Sequence, residues 1–280
     1  MARAKANGIE LEYESFGDPG SETVLLINGL GSQMTRWPEA FCALLVKQGL
    51  RAVRFDNRDV GRSTWLADGD AYRVEDMAAD AVGLLDALSV AKAHIVGMSM
   101  GGMVAQTVAS DFPGRTLSLT SIMSNTGNPD LPPATPAAWA VISQPAPNPA
   151  DREAFLAHAV HNAEVIGSPA YPWPPGALRQ RAEQEVDRAF HPAGVARQMA
   201  AIRLSGDRRE KVKSITAPTV VLHGAEDPLV PVEGGRDTAA VIPGAELRII
   251  PGMGHDMPPT LYPTFVEAIL RAVERAHAPA

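Results

Sequence analysis

Short apolar runs closed by Gly, Pro or Asn alternate with longer amphipathic stretches along most of this chain. That alternation restricts the fold more than any other feature. A run of five or six residues, apolar at nearly every position, needs cover on both faces. A parallel sheet with crossover helices supplies that cover. The strand candidates are Glu10–Phe16, Thr23–Asn28, Arg51–Asp56, His94–Gly97, Leu117–Met123, Thr219–His223 and Glu246–Ile250. Between them Trp37–Gln48, Arg73–Leu88, Gly102–Asp111 and Asp237–Val241 carry helical spacing, and Pro263–His277 closes the chain in the same way. The chain therefore reads as α/β, with a mostly parallel central sheet flanked by helices.

The alternation stops after Met123. Seven prolines fall between Pro129 and Pro149, followed by helical stretches at Asp151–Ile166, Gly176–Phe190 and Gly194–Leu204. A Pro-aromatic knot, YPWPPG, occupies Tyr171–Gly176, and no strand signal returns before Lys211-Val212-Lys213 leads into Ala217-Pro218-Thr219. We expect residues 1–127 and 209–280 to form one core domain, with 128–208 inserted as a helical cap. The prolines either stiffen loops or shape a pocket, and both alternatives stand at this point. A chain of 280 residues can bury a substantial core in one such domain.

The chemistry centres on GMSMGG, Gly97–Gly102, directly after an apolar run. Gly97-x-Ser99-x-Gly101 between a strand and a helix is the context of a nucleophile elbow. A serine on so sharp a turn needs glycines packed against it, and the helix N-terminus beneath it favours negative charge. Alone, the motif is short enough to recur by chance. Its partners are expected in the order serine, acid, histidine. HGAEDPLVP places Asp227 after one candidate strand, and PGMGHDMP places His255 after the next. Both fall in loops at carboxyl ends of strands, where open α/β sheets build their sites. Asp227 by itself reads as a turn former before Pro228, and His255 as a loop residue. Three groups in order, each at the right end of its own strand, make the pattern specific.

The remaining histidines compete less well. His94 and His223 belong to strands, where a packed, hydrogen-bonded role is expected; His158, His161 and His191 lie in the insertion, and His277 in the tail. No carboxylates or thiols cluster beside His158 and His161 to suggest a metal site. Glu226 is a weaker candidate acid than Asp227, and Asp256 is expected to point away from its neighbour His255.

Composition removes other classes. With a net charge of −7 there is no basic face to neutralise phosphates, so a nucleic-acid partner is not expected. The apolar runs are too short to span a membrane, and MARAKANGIELEYESFGD has no apolar signal region. The lone Cys42 excludes an internal disulfide framework and reads as a buried structural thiol. A cytoplasmic protein acting on a small molecule is expected.

With these residues in place, the chain resembles the α/β-hydrolase superfamily over nearly its whole length. The resemblance implies that Leu30, in Asn28-Gly29-Leu30-Gly31, and Met100 donate their N–H groups to an oxyanion. Asn28 stands where the family usually has His. Phe55–Ser63 is similar to the family's D-x-R-G-x-G-x-S turn, with Asp59 where Gly is usual, and Asp56 and Arg58 read as a structural ion pair or turn lock. NGLGSQMTRWP, FDNRDVGRST and IPGMGHDMP resemble a bacterial esterase subgroup that includes aclacinomycin methylesterase and acyl-homoserine lactone hydrolases. The implied activity is a serine carboxylesterase using Ser99, His255 and Asp227 on small to medium, largely apolar esters, without metal or organic cofactor. Serine at the elbow argues against haloalkane dehalogenases and epoxide hydrolases, which carry Asp there. Met34, Met98 and Trp139 are candidates to line an acyl pocket, with core packing as the alternative. A lactone hydrolase, a perhydrolase and a non-catalytic ligand receptor remain rival functions.

Overall fold

The computed structural model describes residues 1–67, 69–144, 147 and 151–278. Pro145 and Pro149 of the proline-rich stretch lie outside the described residues. Eight strands form one sheet: β1 (Ala2–Ala6), β2 (Ile9–Phe16), β3 (Thr23–Ile27), β4 (Arg51–Phe55), β5 (Ala93–Met98), β6 (Thr116–Ile122), β7 (Thr219–Gly224) and β8 (Glu246–Ile250). Their spatial order is β1-β2-β4-β3-β5-β6-β7-β8. From β4 to β8 every pairing is parallel, while β1 and β2 join antiparallel at one edge.

The helices between strands are α1 (Glu39–Val46), α2 (Val74–Ala87), α3 (Met100–Asp111), α9 (Val232–Val241) and, after β8, α10 (Tyr262–His277). Residues between β6 and β7 form α4 (Pro136–Ser143), α5 (Arg152–Val165), α6 (Ala177–Arg188), α7 (Pro192–Ser205) and the short α8 (Arg209–Val212). Strand alternation splits the core in two. Leu25, Ile27, Val53, Phe55 and Ile95 pack with Met77, Leu84 and Val104 on one face. Val24, Leu26, Ala52 and Val96 pack with Trp37, Phe41, Phe265 and Ile269 on the other. Every residue of β3 and β4 is buried; β3 is apolar from Val24 onward, whereas in β4 Arg51 and Arg54 are satisfied by Ser15 and Glu14 of β2.

Four elements depart from the sequence expectations. Lys211-Val212-Lys213, expected to begin the return to strand, instead ends and caps the short helix α8, and the strand starts only at Thr219. β1, ARAKA, buries only Ala6 fully, so it carries no apolar signal; it exists through backbone pairing with β2, from Ala2 opposite Tyr13 to Ala6 opposite Ile9. α4 lies inside the proline-rich stretch because Pro136 occupies its first turn, where no N–H is needed, and the Thr135 hydroxyl accepts from Ala138 N at 3.3 Å. α9 begins at Val232 rather than Asp237, through Gly234 and Gly235, residues of low helix propensity. Tertiary packing overrides that propensity: a Cβ on Gly235 would come within 2.6 Å of His223 Nδ1.

Candidate active site

Ser99 joins β5 to α3 at φ 55° and ψ −124°, a left-handed conformation that a residue with a side chain adopts only when its surroundings impose it. The surroundings are glycines. A Cβ on Gly97 would lie 1.9 Å from Gly101 O, and one on Gly101 would lie 2.3 Å from Ile27 O. Chain segments this close admit no side chain, so the motif is a packing requirement. Ser99 N donates to Ile122 O at 2.9 Å, tying the turn to β6. The hydroxyl stands half-buried at the carboxyl edge of the sheet.

β7 and β8 deliver the other two groups. Asp227 Oδ1 accepts from Leu229 N at 2.9 Å and Val230 N at 2.8 Å, which fixes the carboxylate in its own turn. Its Oδ2 faces His255 Nδ1 at 2.7 Å, and His255 Nε2 lies 3.0 Å from Ser99 Oγ. An ionised carboxylate only accepts, so Nδ1 carries the proton and Nε2 is left as the acceptor for the serine hydroxyl. Asp227 and His255 are 6% and 8% exposed, so their interaction is little screened. His223 lies nearby, with Nε2 3.6 Å from Asp227 Oδ2, but donates Nε2–H to Val230 O at 2.7 Å. Burial holds its pKa below the ordinary histidine value, which keeps it neutral beside Asp227.

The loop after β3 packs directly on the serine: a Cβ on Gly29 would meet Ser99 Cβ at 3.1 Å. Leu30, half-buried, is next to it. Met100 opens α3, where first-turn N–H groups have no intrahelical acceptor. Asn28 is fully buried; its carbonyl accepts from Asn57 Nδ2 at 3.1 Å. Gly31 N donates to Gln198 Oε1 at 2.8 Å, and Gln198 Nε2 donates to Arg58 O at 2.9 Å. Asn57 and Gln198 thus brace the loop whose first residue departs from the family pattern. Met34 is fully buried, Met98 half-buried at the end of β5, and Trp139 on α4 is 48% exposed.

Of the two expectations for Asp56 and Arg58, the mutual ion pair does not form, while Asp56 does lock the turn, through Arg62 N and the Ser63 hydroxyl. Asp56 accepts from Met34 N at 2.7 Å and Arg62 N at 2.9 Å, and pairs with Arg188 of α6 at 2.7 Å. Arg58 grips Asp80 of α2 through Nε and Nη2, each at 2.6 Å. Residues two apart in an irregular turn project in different directions, and each found its counter-ion on another element. Asp59 sits at φ 66°, which explains how it occupies a position usually held by glycine. Aspartate tolerates this region, and its carboxylate accepts from Leu66 N at 2.8 Å and from Arg197.

A second set of contacts was not foreseen from sequence. His255 N donates to Ile166 O at 2.7 Å, and Gly254 N to Ser168 Oγ at 2.9 Å. Asp256 accepts from the Ser168 hydroxyl and from Trp173 Nε1, the latter at 2.7 Å. The histidine loop is therefore clamped to the segment between α5 and α6. The one sequence hint is the YPWPPG knot that contains Trp173. Cys42 is buried and its thiol is pushed up to about 12 by that burial, which makes it unreactive. Among the described residues no helix is long and apolar enough to cross a membrane.

Residues 22–259 match the family model for the alpha/beta hydrolase fold. The chain is 29% identical to a rhodomycin D methylesterase of Streptomyces peucetius, over 93% of this chain and 94% of that protein. It is 32% identical to a proposed carbamate hydrolase of Variovorax paradoxus, over 96% and 98%. Among solved structures, an N-acyl homoserine lactone degrading enzyme superposes with a TM-score of 0.72 at 25% identity, covering 99% of this chain and 100% of its own.

Proposed function

The chain belongs to the alpha/beta hydrolase family, and on that premise we propose that it is a serine-dependent carboxylic ester hydrolase whose catalytic residues are Ser99, His255 and Asp227. The observation that carries this is the continuous chain from Asp227 Oδ2 to His255 Nδ1 at 2.7 Å and from His255 Nε2 to Ser99 Oγ at 3.0 Å. His255 Nε2 removes the hydroxyl proton as Oγ attacks the ester carbonyl, and then returns it to the departing alcohol. Asp227 holds the imidazole in the required tautomer and stabilises its cation. The N–H groups of Leu30 and Met100 receive the oxyanion, at about 3–4 kcal/mol per donor in comparable sites. Water then attacks the acyl-serine with His255 again as base, restoring the free hydroxyl. The proton taken from Ser99 leaves on the alcohol, and the one His255 takes from water returns to Ser99 Oγ as the carboxylic acid departs.

Residues 128–208 act in this proposal as a cap, and the Ile166–His255 and Ser168–Gly254 contacts support it by tying that segment to the histidine loop. Met34, Met98 and Trp139 are the proposed acyl-side residues, for small to medium apolar esters, in a cytoplasmic setting. The methylesterase relative supports an ester substrate. The likeness to a lactone-degrading enzyme supports a second substrate, the cyclic ester, which the same three residues would open. Hydrolysis of p-nitrophenyl acetate, butyrate and octanoate by wild type and Ser99→Ala tests the proposal, with an acyl-homoserine lactone measured alongside. Loss of all turnover in Ser99→Ala is expected; unchanged turnover in that folded variant would overturn the assignment.

A further inference from the structure

At the other end of the sheet, three residues far apart in sequence converge on one point. Glu22 immediately precedes β3, His94 is the second residue of β5, and His277 ends α10. His94 Nε2 lies 3.3 Å from Glu22 Oε2, and His277 Nε2 lies 2.9 Å from the same oxygen. All three ligand atoms fall within 4.8 Å of one another. We propose that Glu22, His94 and His277 form a binding site for a divalent transition-metal ion of the zinc class.

Two imidazole nitrogens and a carboxylate suit a borderline-soft ion, with water completing the coordination. Metal–ligand bonds of about 2.1 Å at tetrahedral angles separate neighbouring donors by roughly 3.4 Å. The Glu22–His94 and Glu22–His277 separations are near that value and the two histidine nitrogens lie within 4.8 Å, so small movements of Glu22 and His277 would seat the ion. Both are exposed, at 44% and 54%, and are free to make them. His94 is the fixed member: it is fully buried, and its Nδ1 lies 2.9 Å from Ser118 Oγ on β6. Without an ion, His94 Nε2–H donates to Glu22 and Nδ1 accepts from the Ser118 hydroxyl; with an ion, Nε2 would bind it and the proton would sit on Nδ1, which the same hydroxyl can accept. A ligating histidine is held in this way by a partner on its other nitrogen.

The ion's effect would be structural. It would pin the end of α10 to the start of β3 and β5, joining the last helix to the middle of the sheet. Ser99 is five residues beyond His94, about 16 Å along an extended chain, so hydrolysis does not draw on the site.

Calorimetric titration of the whole chain with zinc chloride at pH 7.5, in a non-chelating buffer, tests this. His277→Ala and Glu22→Gln, both at exposed positions that leave the core intact, are the comparison variants. One zinc per wild-type chain is expected, with affinity at least ten-fold weaker in each variant. At zinc one hundred-fold above Kd the wild-type Tm should rise by about 5 °C, and the variants' much less. Cobalt in place of zinc should give the visible absorption of a four-coordinate ion in wild type alone. Absence of zinc binding by wild type, or equal affinity in all three chains, would overturn the proposal.

Discussion

Replacing Asp227 by Asn separates the tautomer of His255 from the architecture that surrounds it. Oδ1 of Asp227 accepts two backbone N–H groups, from Leu229 and Val230 at 2.9 and 2.8 Å. An asparagine must keep an oxygen there, since turning the amide over leaves both N–H groups facing a donor. Each unsatisfied buried donor costs about 1–3 kcal/mol, so the flip costs about 2–6 kcal/mol. The NH₂ group is then held where Oδ2 was, opposite His255 Nδ1. A neutral imidazole can accept that contact only by moving its proton to Nε2, and Nε2 then donates towards Ser99 instead of accepting from it. The proposed general base is lost while the side chains stay in place. Turnover of p-nitrophenyl butyrate should fall about 10⁴-fold, equivalent to about 5.4 kcal/mol of transition-state stabilisation. The Tm should stay close to wild type. Asp227→Ala should lose both the turnover and the two turn hydrogen bonds, and should melt distinctly lower. Asp227→Asn retaining more than a tenth of wild-type kcat/KM, or destabilised as much as Asp227→Ala, would refute the reasoning.

Gly101→Ala should be damaging out of proportion to one methyl group, because its Cβ would meet Ile27 O at 2.3 Å and Asn28 O at 2.6 Å, both backbone atoms. Separating β3 from α3 by even 1 Å should cost about 10²-fold in turnover, and near-wild-type rates would show that the elbow tolerates the shift. Arg58→Met leaves the buried Asp80 without its counter-ion and should reduce stability by about 3–5 kcal/mol in urea unfolding, with Asp80→Leu in the same chain recovering most of the loss. Equal stability of the single and double variants would contradict that pairing. His94 and His223 both titrate below the ordinary value of 6.5, because burial opposes their charged forms. Below about pH 6.5 the unfolded chain binds protons that the folded chain does not, so these groups contribute full stability above that pH and lose it as pH falls, at up to about 1.4 kcal/mol per pH unit for each. Urea midpoints at pH 7.5, 6.5 and 5.5 should therefore decrease, and a flat series would refute the assignment.

Sequence alone set the class of the fold and the positions of Ser99, Asp227 and His255. Both depend on rules that act over a few residues: apolar continuity marks a strand covered on both faces, and glycines at Gly97 and Gly101 mark a turn too crowded for side chains. The order of the three groups, each at the end of its own strand, follows directly from such local signals. The tertiary structure decided which charges meet. Asp56 and Arg58, two residues apart, are satisfied by Arg188 of α6 and Asp80 of α2. Asp256 is taken by Ser168 and Trp173, and His94 reaches His277 through Glu22. Each of these contacts spans more than 20 residues of chain, and the buried or half-buried ones, Asp56, Arg58, Asp256 and His94, pair because burial leaves a polar group no partner except what the packed elements bring alongside it. Strand periodicity and turn chemistry are written in neighbouring residues; the counter-ion of a buried charge is written only in the fold.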